Sequence, residues 1–96
     1  MVAYLIIDVD IHDEAGFEGY RKAVPTLAAT YGGEYLVRGG EFEIIEGDWR
    51  PHRLVLFRFP GRGAIRAFFA DPRYAELLGL RQRTADAVIV AVDGIA

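Results

Sequence analysis

Residues 31–60, YGGEYLVRGGEFEIIEGDWRPHRLVLFRFP, predict a β-hairpin in the middle of the chain. Residues 34–38 are typical of a strand, and residues 41–46 are typical of its continuation beyond a bulge or bend at two adjacent glycines. Turn-forming residues follow at 47–51, and residues 53–59 predict the returning strand. These segments therefore indicate two strands that are joined as a hairpin.

The segment before the hairpin predicts a strand followed by a helix. Apolar side chains occupy the odd positions from 3 to 11, which gives the strand one wholly apolar face. Asp13 is placed to cap a helix whose apolar residues recur at steps of three and four, and Gly32 suits the left-handed conformation that ends it. Pro25 lies inside this helix. We expect it to kink the helix near residues 22–24 rather than end it, since the apolar stripe continues beyond it.

The segment after the hairpin predicts a helix in two pieces and a last strand. The first piece, with apolar residues within 64–69, must end by Asp71, because the residue before a proline disfavours helical geometry. Asp71 then caps a second piece that has Pro72 at its first position. Residues 87–92 predict a strand that is apolar on both faces. The order β-α-β-β-α-β is the ferredoxin-like pattern, an α+β fold with a four-stranded antiparallel sheet and helical layers on one face.

Length and composition limit the class of protein. A chain of 96 residues with 52% hydrophobic and 26% charged residues predicts one globular domain over 1–96, too apolar for disorder and too interrupted by charge for a membrane span. The absence of cysteine excludes disulfides, thiol catalysis and cysteine-ligated metal clusters. The net charge of −3 argues against nucleic-acid binding. The N-terminus lacks the basic region of a signal peptide, and we expect a cytoplasmic protein without a membrane partner.

Both faces of the predicted sheet are apolar, although the helices cover only one of them. The second apolar set alternates with the first along three strands and comprises Tyr4, Ile6, Leu54, Leu56, Val88, Val90 and Val92. A contiguous apolar face on a small globular protein marks an interface or a ligand groove. We therefore expect a homodimer in which two copies pack sheet against sheet. The alternative is that one of the two sets packs under loops.

Residues along nearly the whole chain match the spacing of a known family. They are Tyr20, Pro25, Gly32-Gly33, Arg38-Gly39-Gly40, Glu46-Gly47-Asp48-Trp49, Phe59-Pro60, Pro72, Tyr74 and Arg81, and the stretch 31–60 is the most specific part. The pattern resembles the bacterial domain-of-unknown-function family numbered 1330. This resemblance implies membership of the dimeric α/β-barrel superfamily, alongside antibiotic-biosynthesis-type monooxygenases and muconolactone-isomerase-like proteins. It thus implies a homodimer with a pocket beside each sheet, and it implies no particular reaction.

The match departs locally from the family pattern. Asp71 and Arg73 flank Pro72 where a Ser-Pro-Glu run is usual, and Phe69 stands where a tyrosine is common. These departures argue against a functional hydroxyl group at position 69.

Asp8 is the first candidate catalytic residue. We expect strands one and three to be parallel neighbours, which would place Asp8 beside Arg58 on the barrel-facing surface of the sheet. A charge in such a place has to be paired or to reach water. The two residues therefore form either a structural ion pair or a functional site in which Asp8 is held ionised as a base or a substrate anchor.

Arg38, Trp49 and His52 form a second candidate group at the hairpin. An anion-binding arginine, an aromatic platform and a titratable imidazole would converge at one edge of the sheet, with His52 available as a general base. The structural alternatives are a bulge with Arg38 facing solvent, Trp49 as a turn anchor and His52 as a surface residue.

Tyr20, Tyr74 and Arg81 are expected on the two helical segments that face the sheet. Buried tyrosine hydroxyls near an arginine can position a carboxylate or a phenol, whereas aromatic residues at helical spacing are usually core. The acidic run 8–14 lacks the pattern of a calcium loop, and no glycine-rich nucleotide motif is present. We therefore expect neither a metal nor a cofactor.

Two functions fit this sequence. In the first, the homodimer holds a small anionic or aromatic metabolite between sheet and helices, with cofactor-free enzymatic chemistry as an extension of binding. Arg38 would hold the anion, Trp49 and Tyr20 the ring, and Asp8 or His52 would accept a proton. In the second, the dimeric barrel is closed and the protein is a non-catalytic interaction module. Binding of a metabolite separates the two hypotheses.

Overall fold

The computed structural model describes residues 1–95, which form one antiparallel sheet and three helices. The elements are β1 (Ala3–Ile11), α1 (Glu14–Thr30), β2 (Glu34–Arg38), β3 (Leu54–Phe59), α2 (Arg62–Ala70), α3 (Pro72–Thr84) and β4 (Ala85–Asp93). The strand order is β2-β3-β1-β4, and each neighbouring pair is antiparallel. The predicted α+β fold is confirmed. In the described range no helix has the length and apolar character that a membrane crossing requires.

The core lies between the helices and one face of the sheet. Side chains alternate along a strand, and the odd-numbered residues of β1 and β3 point to this face. Leu5 and Phe57 lie opposite each other across these strands and are 1% and 2% exposed. The largest buried cluster joins the two strands to all three helices and consists of Ala3, Leu5, Val24, Leu27, Ala28, Phe57, Phe59, Ile65, Phe68 and Tyr74.

The ends of α1 follow the predicted capping residues. The Asp13 carboxylate accepts a hydrogen bond from a backbone N–H of the first turn at 2.9 Å. After the last turn, Gly32 has a φ of 80°, and the Gly33 N–H donates to the Ala28 carbonyl at 2.9 Å, which is the Schellman arrangement. Pro25 lies within the continuous helix, so the prediction that it does not end α1 is confirmed.

Asp71 separates α2 from α3 and caps the second of these helices, as predicted. Its Oδ1 accepts a hydrogen bond from the Arg73 backbone N–H at 2.8 Å, and its Oδ2 accepts one from the Tyr31 hydroxyl at 2.5 Å. The Arg73 guanidinium also pairs with this carboxylate at 2.8 Å. The Arg73 and Tyr31 side-chain hydrogen bonds, in that order, hold the pKa of Asp71 well below its usual value. This junction fastens the end of α1 to the start of α3.

The hairpin is shorter than the sequence predicts. β2 ends at Arg38, and the expected strand at 41–46 is wrong because these residues are irregular and exposed. They have no strand to pair with, since β3 begins at Leu54, whose carbonyl already accepts a hydrogen bond from the Gly39 N–H at 2.8 Å. Residues 39–53 therefore form a loop, called the long loop below.

β1 and β3 are antiparallel, so the parallel register expected between them is wrong. The helix α1 returns the chain so that β2 runs in the direction of β1, and the hairpin then reverses β3. Asp8 lies opposite Leu54, while Arg58 lies opposite Tyr4 at the far end of the pair. At about 3.4 Å per residue the two ends are about 14 Å apart. Arg58 pairs instead with Glu34 at 3.5 Å, and the Asp8–Arg58 ion pair does not form.

The opposite face of the sheet, called the outer face below, has no helix against it. Val88, Val90 and Val92 are 68%, 53% and 45% exposed on this face. The Cα atoms extend over 35 × 33 × 16 Å, the proportions of a flat two-layer body. The accessible surface of 6059 Å² also exceeds the roughly 5,500 Å² expected for a globular chain of this mass. The apolar outer face predicted from the alternation of side chains is therefore present and uncovered within one chain.

Candidate functional site

A cleft opens between the sheet and the helices α1 and α3. Its cavity volume is about 50 Å³, and the wider space of about 540 Å³ outside the protein atoms includes open solvent. Its walls are mainly apolar and aromatic and include Ile7, Val9, Phe17, Tyr20, Val24, Tyr35, Val55, Phe57 and Ile89. The charged residues that line it are Arg21, Arg38, Arg53 and Arg81. The cleft thus combines an apolar body with positive charge.

A β-bulge in β2 turns Arg38 towards the cleft. The register of β2 against β3 shifts by one residue between Tyr35 and Val37. In a regular strand, side chains three positions apart point to opposite faces. Because of the bulge, the Arg38 guanidinium lies 4.5 Å from the centroid of the Tyr35 ring, on the face that the helices cover. The bulge therefore occurs before Arg38, and at the glycines after Arg38 the chain makes the bend that was the other predicted possibility, with Gly39 at a φ of 71°.

Arg53 is a further arginine of the cleft, which the sequence analysis did not select. It immediately precedes β3, and its carbonyl accepts a hydrogen bond from the Val9 N–H at 3.0 Å, which extends the pairing of β1 and β3 by one residue. Alternation then places the Arg53 side chain on the same face as Val55. The guanidinium packs against Gly39, where a Cβ atom would collide with it. Gly39 also has a φ of 71°, so the backbone favours glycine there, whereas the flexible Arg53 side chain could move away from a Cβ.

Tyr20 and Arg81 line a polar corner of the cleft, and Tyr74 lies buried behind Tyr20, on the helices where the sequence placed them. The two tyrosine hydroxyls are hydrogen-bonded at 2.8 Å. Burial is the main cause that raises the pKa of Tyr20 above its usual value, and the charge of Arg81 acts in the opposite direction. Arg81 Nε is closed to solvent and has no hydrogen-bond partner in residues 1–95. An unsatisfied buried donor costs about 1 to 3 kcal/mol.

Three of the four arginines carry charge that no acidic side chain offsets. Over the described residues, arginine ion pairs involve Arg21, Arg58, Arg62 and Arg73. Arg21 is held by two glutamates of its own helix at 3.1 and 3.0 Å. Arg38, Arg53 and Arg81 form no such pair. Burial raises the pKa of Tyr35, and the charges of Arg38 and Arg53 oppose that rise, so both act inside the cleft.

Asp8, Trp49 and His52 lie on the outer face, away from the cleft. Asp8 Oδ2 accepts a hydrogen bond from Trp49 Nε1 at 3.2 Å, and Asp8 Oδ1 accepts one from the His52 backbone N–H at 2.8 Å. The His52 ring lies between two carboxylates, 3.8 Å from that of Asp8 and 3.6 Å from that of Asp10. The predicted convergence of Arg38 with Trp49 and His52 is wrong, because even-numbered residues of β1 point away from the helices whereas the bulge turns Arg38 towards them.

This separation changes the roles that the sequence analysis gave to these residues. Neither Asp8 nor His52 lines the cleft, and His52 instead borders a second depression together with Arg53, Gly39 and Gly40. Trp49 is on the wrong face to hold the ring of a ligand in the cleft, and Tyr35 supplies an aromatic wall instead. The carboxylate of Asp8 fixes the long loop to the outer face of β1.

The fold defines a class of ferredoxin-like α+β proteins that includes antibiotic biosynthesis monooxygenases. A putative antibiotic biosynthesis monooxygenase from Nitrosomonas europaea has a TM-score of 0.62 at 15% identity and covers 100% of both chains. SnoaB, a cofactor-independent oxygenase from Streptomyces nogalater, has a TM-score of 0.64 at 12% identity over 99% of this chain and 93% of that chain. At such identities the likeness shows the fold alone.

The residue pattern identifies the family within this class. The family model described as a domain of unknown function, DUF1330, matches residues 2–95. The chain belongs to this family, as its sequence pattern indicates. RPA0582 from Rhodopseudomonas palustris, a protein of unknown function, has a TM-score of 0.79 at 16% identity over 99% of this chain and 83% of that chain. No curated protein matches the sequence.

Proposed function

We propose that this protein is a homodimer whose cleft binds a small metabolite with an aromatic or apolar body and a carboxylate group. The observation that carries the proposal is the set of three arginines, Arg38, Arg53 and Arg81, without acidic partners on an otherwise apolar cleft. The carboxylate lies between Arg38 and Arg53, and the body of the metabolite packs on Tyr35 and the apolar walls.

The expected affinity follows from two contributions. A hydrogen bond between charged groups contributes about 1.5 to 3 kcal/mol, and guanidinium groups bind carboxylates through two parallel bonds. Burial of roughly 100 Å² of an aromatic ring contributes about 2.5 kcal/mol at about 25 cal/mol per Å². A ligand with only one of these features loses about half of the gross interaction energy. The cleft is therefore selective for molecules that combine an acid with a ring.

The homodimer is supported by the outer face. Its three exposed valines on β4 lie beside the half-buried side chains of β1 and β3, and together they form one apolar surface. Stable interfaces remove about 800 Å² per partner from solvent, and a sheet of four strands is large enough to supply this area. Two copies that pack through this face leave both clefts accessible on the helix side.

A second candidate function is a non-catalytic interaction module. The observation that favours it is the apolar surface of the long loop, where Phe42 and Ile45 are 45% and 84% exposed. This surface is independent of the cleft, and such a module would need no ligand. The cofactor-independent oxygenase among the solved structures of this fold supports the opposite extension, cofactor-free chemistry on a bound ligand.

Thermal unfolding in the presence of aromatic carboxylates tests the proposed function. We expect benzoate-type acids to raise the unfolding temperature, and we expect Arg38→Met and Arg53→Met to remove this effect. Arg66→Met is the matched control, because Arg66 is exposed on α2 and does not line the cleft. A panel of acids without effect on the wild type, together with dimers that bind no metabolite in native mass spectrometry, would favour the interaction module. Mass analysis of a ligand after incubation then separates binding from conversion.

A further inference from the structure

The polar corner of Tyr20, Tyr74 and Arg81 contains hydrogen-bond donors that lack acceptors. Within the tyrosine pair one hydroxyl donates to the other, which leaves the proton of the accepting hydroxyl free to form a second bond. Arg81 adds a guanidinium group that has no acidic partner and whose Nε has no acceptor in residues 1–95. In residues 1–95, the free proton of the tyrosine pair and the Arg81 Nε–H therefore have no hydrogen-bond acceptor.

The chemistry of the corner selects a particular kind of acceptor. The residues that line the cleft include no carboxylate and no imidazole, so no side chain of these two kinds supplies the acceptor there. The Tyr20 hydroxyl is a neutral donor at neutral pH, as tyrosines ordinarily are, and burial raises its pKa further. A fixed positive charge beside a neutral donor favours an oxygen anion over a neutral hydroxyl, because only the anion gains from the charge.

The corner lies beside the arginines that hold the carboxylate. Tyr35 lies with Arg38 and Arg53, Tyr20 lies with Arg81, and Tyr35 also acts on the pKa of Tyr20. A monoanion bound at the first group leaves the positive charge of Arg81 uncompensated in largely apolar surroundings. A ligand with one oxygen anion at each end of a flat ring compensates both groups.

We propose that the corner holds a second oxygen of the ligand, a phenolic or enolic hydroxyl bound as its anion, so that the ligands are hydroxyaryl carboxylic acids or their enol counterparts bound as dianions. This inference rests on the proposed function, in which the carboxylate lies between Arg38 and Arg53. Arg81 and the Tyr20–Tyr74 pair are then the residues that distinguish a hydroxylated ligand from the plain acid.

A set of three probes tests the proposal. 4-Hydroxy-3-nitrobenzoate carries both groups, 3-nitrobenzoate lacks the hydroxyl, and the methyl ester of the first compound lacks the carboxylate. The phenolate of the hydroxylated probes absorbs visible light, so absorbance against pH gives the pKa of the phenol free and in complex. Calorimetric titration gives the affinities of all three probes.

We expect the wild-type protein to lower the pKa of the bound phenol by about one unit, which corresponds to about tenfold tighter binding of the phenolate form. Affinity for 4-hydroxy-3-nitrobenzoate then rises with pH through the phenol's ionisation, whereas affinity for 3-nitrobenzoate does not. Arg81→Met removes the shift, and it weakens binding of 3-nitrobenzoate less than Arg38→Met does. Tyr20→Phe reduces the shift and serves as an independent test should Arg81→Met fail to fold. Arg38→Met weakens both acids and keeps the shift.

Three results would overturn the proposal, and they are distinguishable. If both acids bind with equal affinity and the phenol keeps its ordinary pKa, the corner holds no oxygen, while the proposed binding of aromatic acids stands. If neither acid binds to the wild-type protein, both proposals fail for this class of ligand. A shift that persists unchanged in both Arg81→Met and Tyr20→Phe would also exclude the corner as its cause.

Discussion

The indole N–H of Trp49 donates a hydrogen bond to Asp8 Oδ2 at 3.2 Å, although the two residues are 41 positions apart in the chain. The other oxygen of the same carboxylate accepts a bond from the His52 backbone N–H. The side chain of Asp8 is 13% exposed, so these bonds are partly shielded from water. One carboxylate on β1 thus fixes the last third of the long loop.

We expect substitutions of Asp8 to destabilise the fold according to how many of the hydrogen bonds to the long loop are lost. An asparagine retains one acceptor oxygen for two donors, and an alanine retains none, so Asp8→Ala destabilises the fold by about 1.5 to 3 kcal/mol and Asp8→Asn by less. The chain has one tryptophan, so the single indole N–H signal in NMR spectra reports on the bond directly. Asp10→Asn is the control, because Asp10 accepts no hydrogen bond from the loop. An indole signal that is unchanged in Asp8→Ala would contradict the anchor.

Gly33→Ala is expected to destabilise the protein by about 1 to 3 kcal/mol, the range for an overpacked core. A Cβ on Gly33 would lie 2.5 Å from the ring of Phe59, which is 0% exposed and cannot move aside. Gly40→Ala is the matched control, since a Cβ there meets nothing within 4 Å. Chemical denaturation of the two variants checks this pair, and equal stabilities would refute the close contact.

Asp71 is expected to make the fold sensitive to acid. Its pKa in the folded state is lowered from an ordinary value of 3.8, chiefly by the Arg73 side chain and then by the Tyr31 hydroxyl. The stability that this group contributes is therefore complete above the ordinary pKa and is lost as pH falls below it towards the folded value. The unfolding temperature, followed from about pH 5 down to about pH 2, should decline less steeply for Asp71→Asn than for the wild type, because the contribution of Asp71 is lost only below its ordinary pKa. Glu76→Gln, at an exposed position of α3, should retain the wild-type slope.

Val90→Glu is expected to separate the proposed dimer into folded monomers. Val90 is 53% exposed on the outer face, so a charge there is solvated in one chain and buried in the dimer. The lost burial is about 1.5 to 3 kcal/mol per copy, and a two-fold interface includes the change twice. Light scattering at micromolar concentration should give the mass of one chain for this variant and of two chains for Gln82→Glu, which adds the same charge on α3. A monomeric wild type would refute the dimer.

Arg38→Lys is expected to keep the fold and weaken binding of aromatic carboxylates by about 1.5 to 3 kcal/mol. Lysine retains the charge but lacks the planar fork that binds a carboxylate through two bonds and stacks on Tyr35. Arg66→Lys, outside the cleft, should bind these acids as the wild type does. Equal affinity of wild type and Arg38→Lys in calorimetry would remove Arg38 from the site.

Local signals were sufficient to predict most of the fold. The helix caps at Asp13 and Asp71 and the end of α1 at Gly32 each depend on hydrogen bonds within a few residues, and sequence patterns record such bonds. The strand predicted at 41–46 is wrong for a non-local reason. The alternation of glutamate and apolar residues suits a strand, but residues 1–95 provide no strand for it to pair with. The parallel register of Asp8 and Arg58 failed because strand direction depends on the path of the whole chain.

Helical spacing predicted one part of the candidate site, and Arg38 of the hairpin was predicted as well. Tyr20, Tyr74 and Arg81 lie together because their helices face the sheet. Arg38 reached the cleft through a bulge that lies between Tyr35 and Val37 and carries no glycine to mark it. A signal for Arg53 is present in the sequence, because Arg53 continues the alternation of the inward-facing residues of β3. It was missed because Arg53 lies in the turn-rich segment before that strand.

The long loop contacts both sides of the sheet. At its ends, Gly39 and Arg53 border the cleft, and near its middle and end, Trp49 and His52 are bound to Asp8 on the outer face. A ligand that repositions Arg53 therefore acts on a segment that also borders the surface offered to a second copy. By thermodynamic reciprocity, any factor by which such a ligand changes the dimerisation constant is the factor by which dimerisation changes the affinity for the ligand. For the proposed dimer, a coupling factor other than one would make the measured affinities for cleft ligands depend on protein concentration.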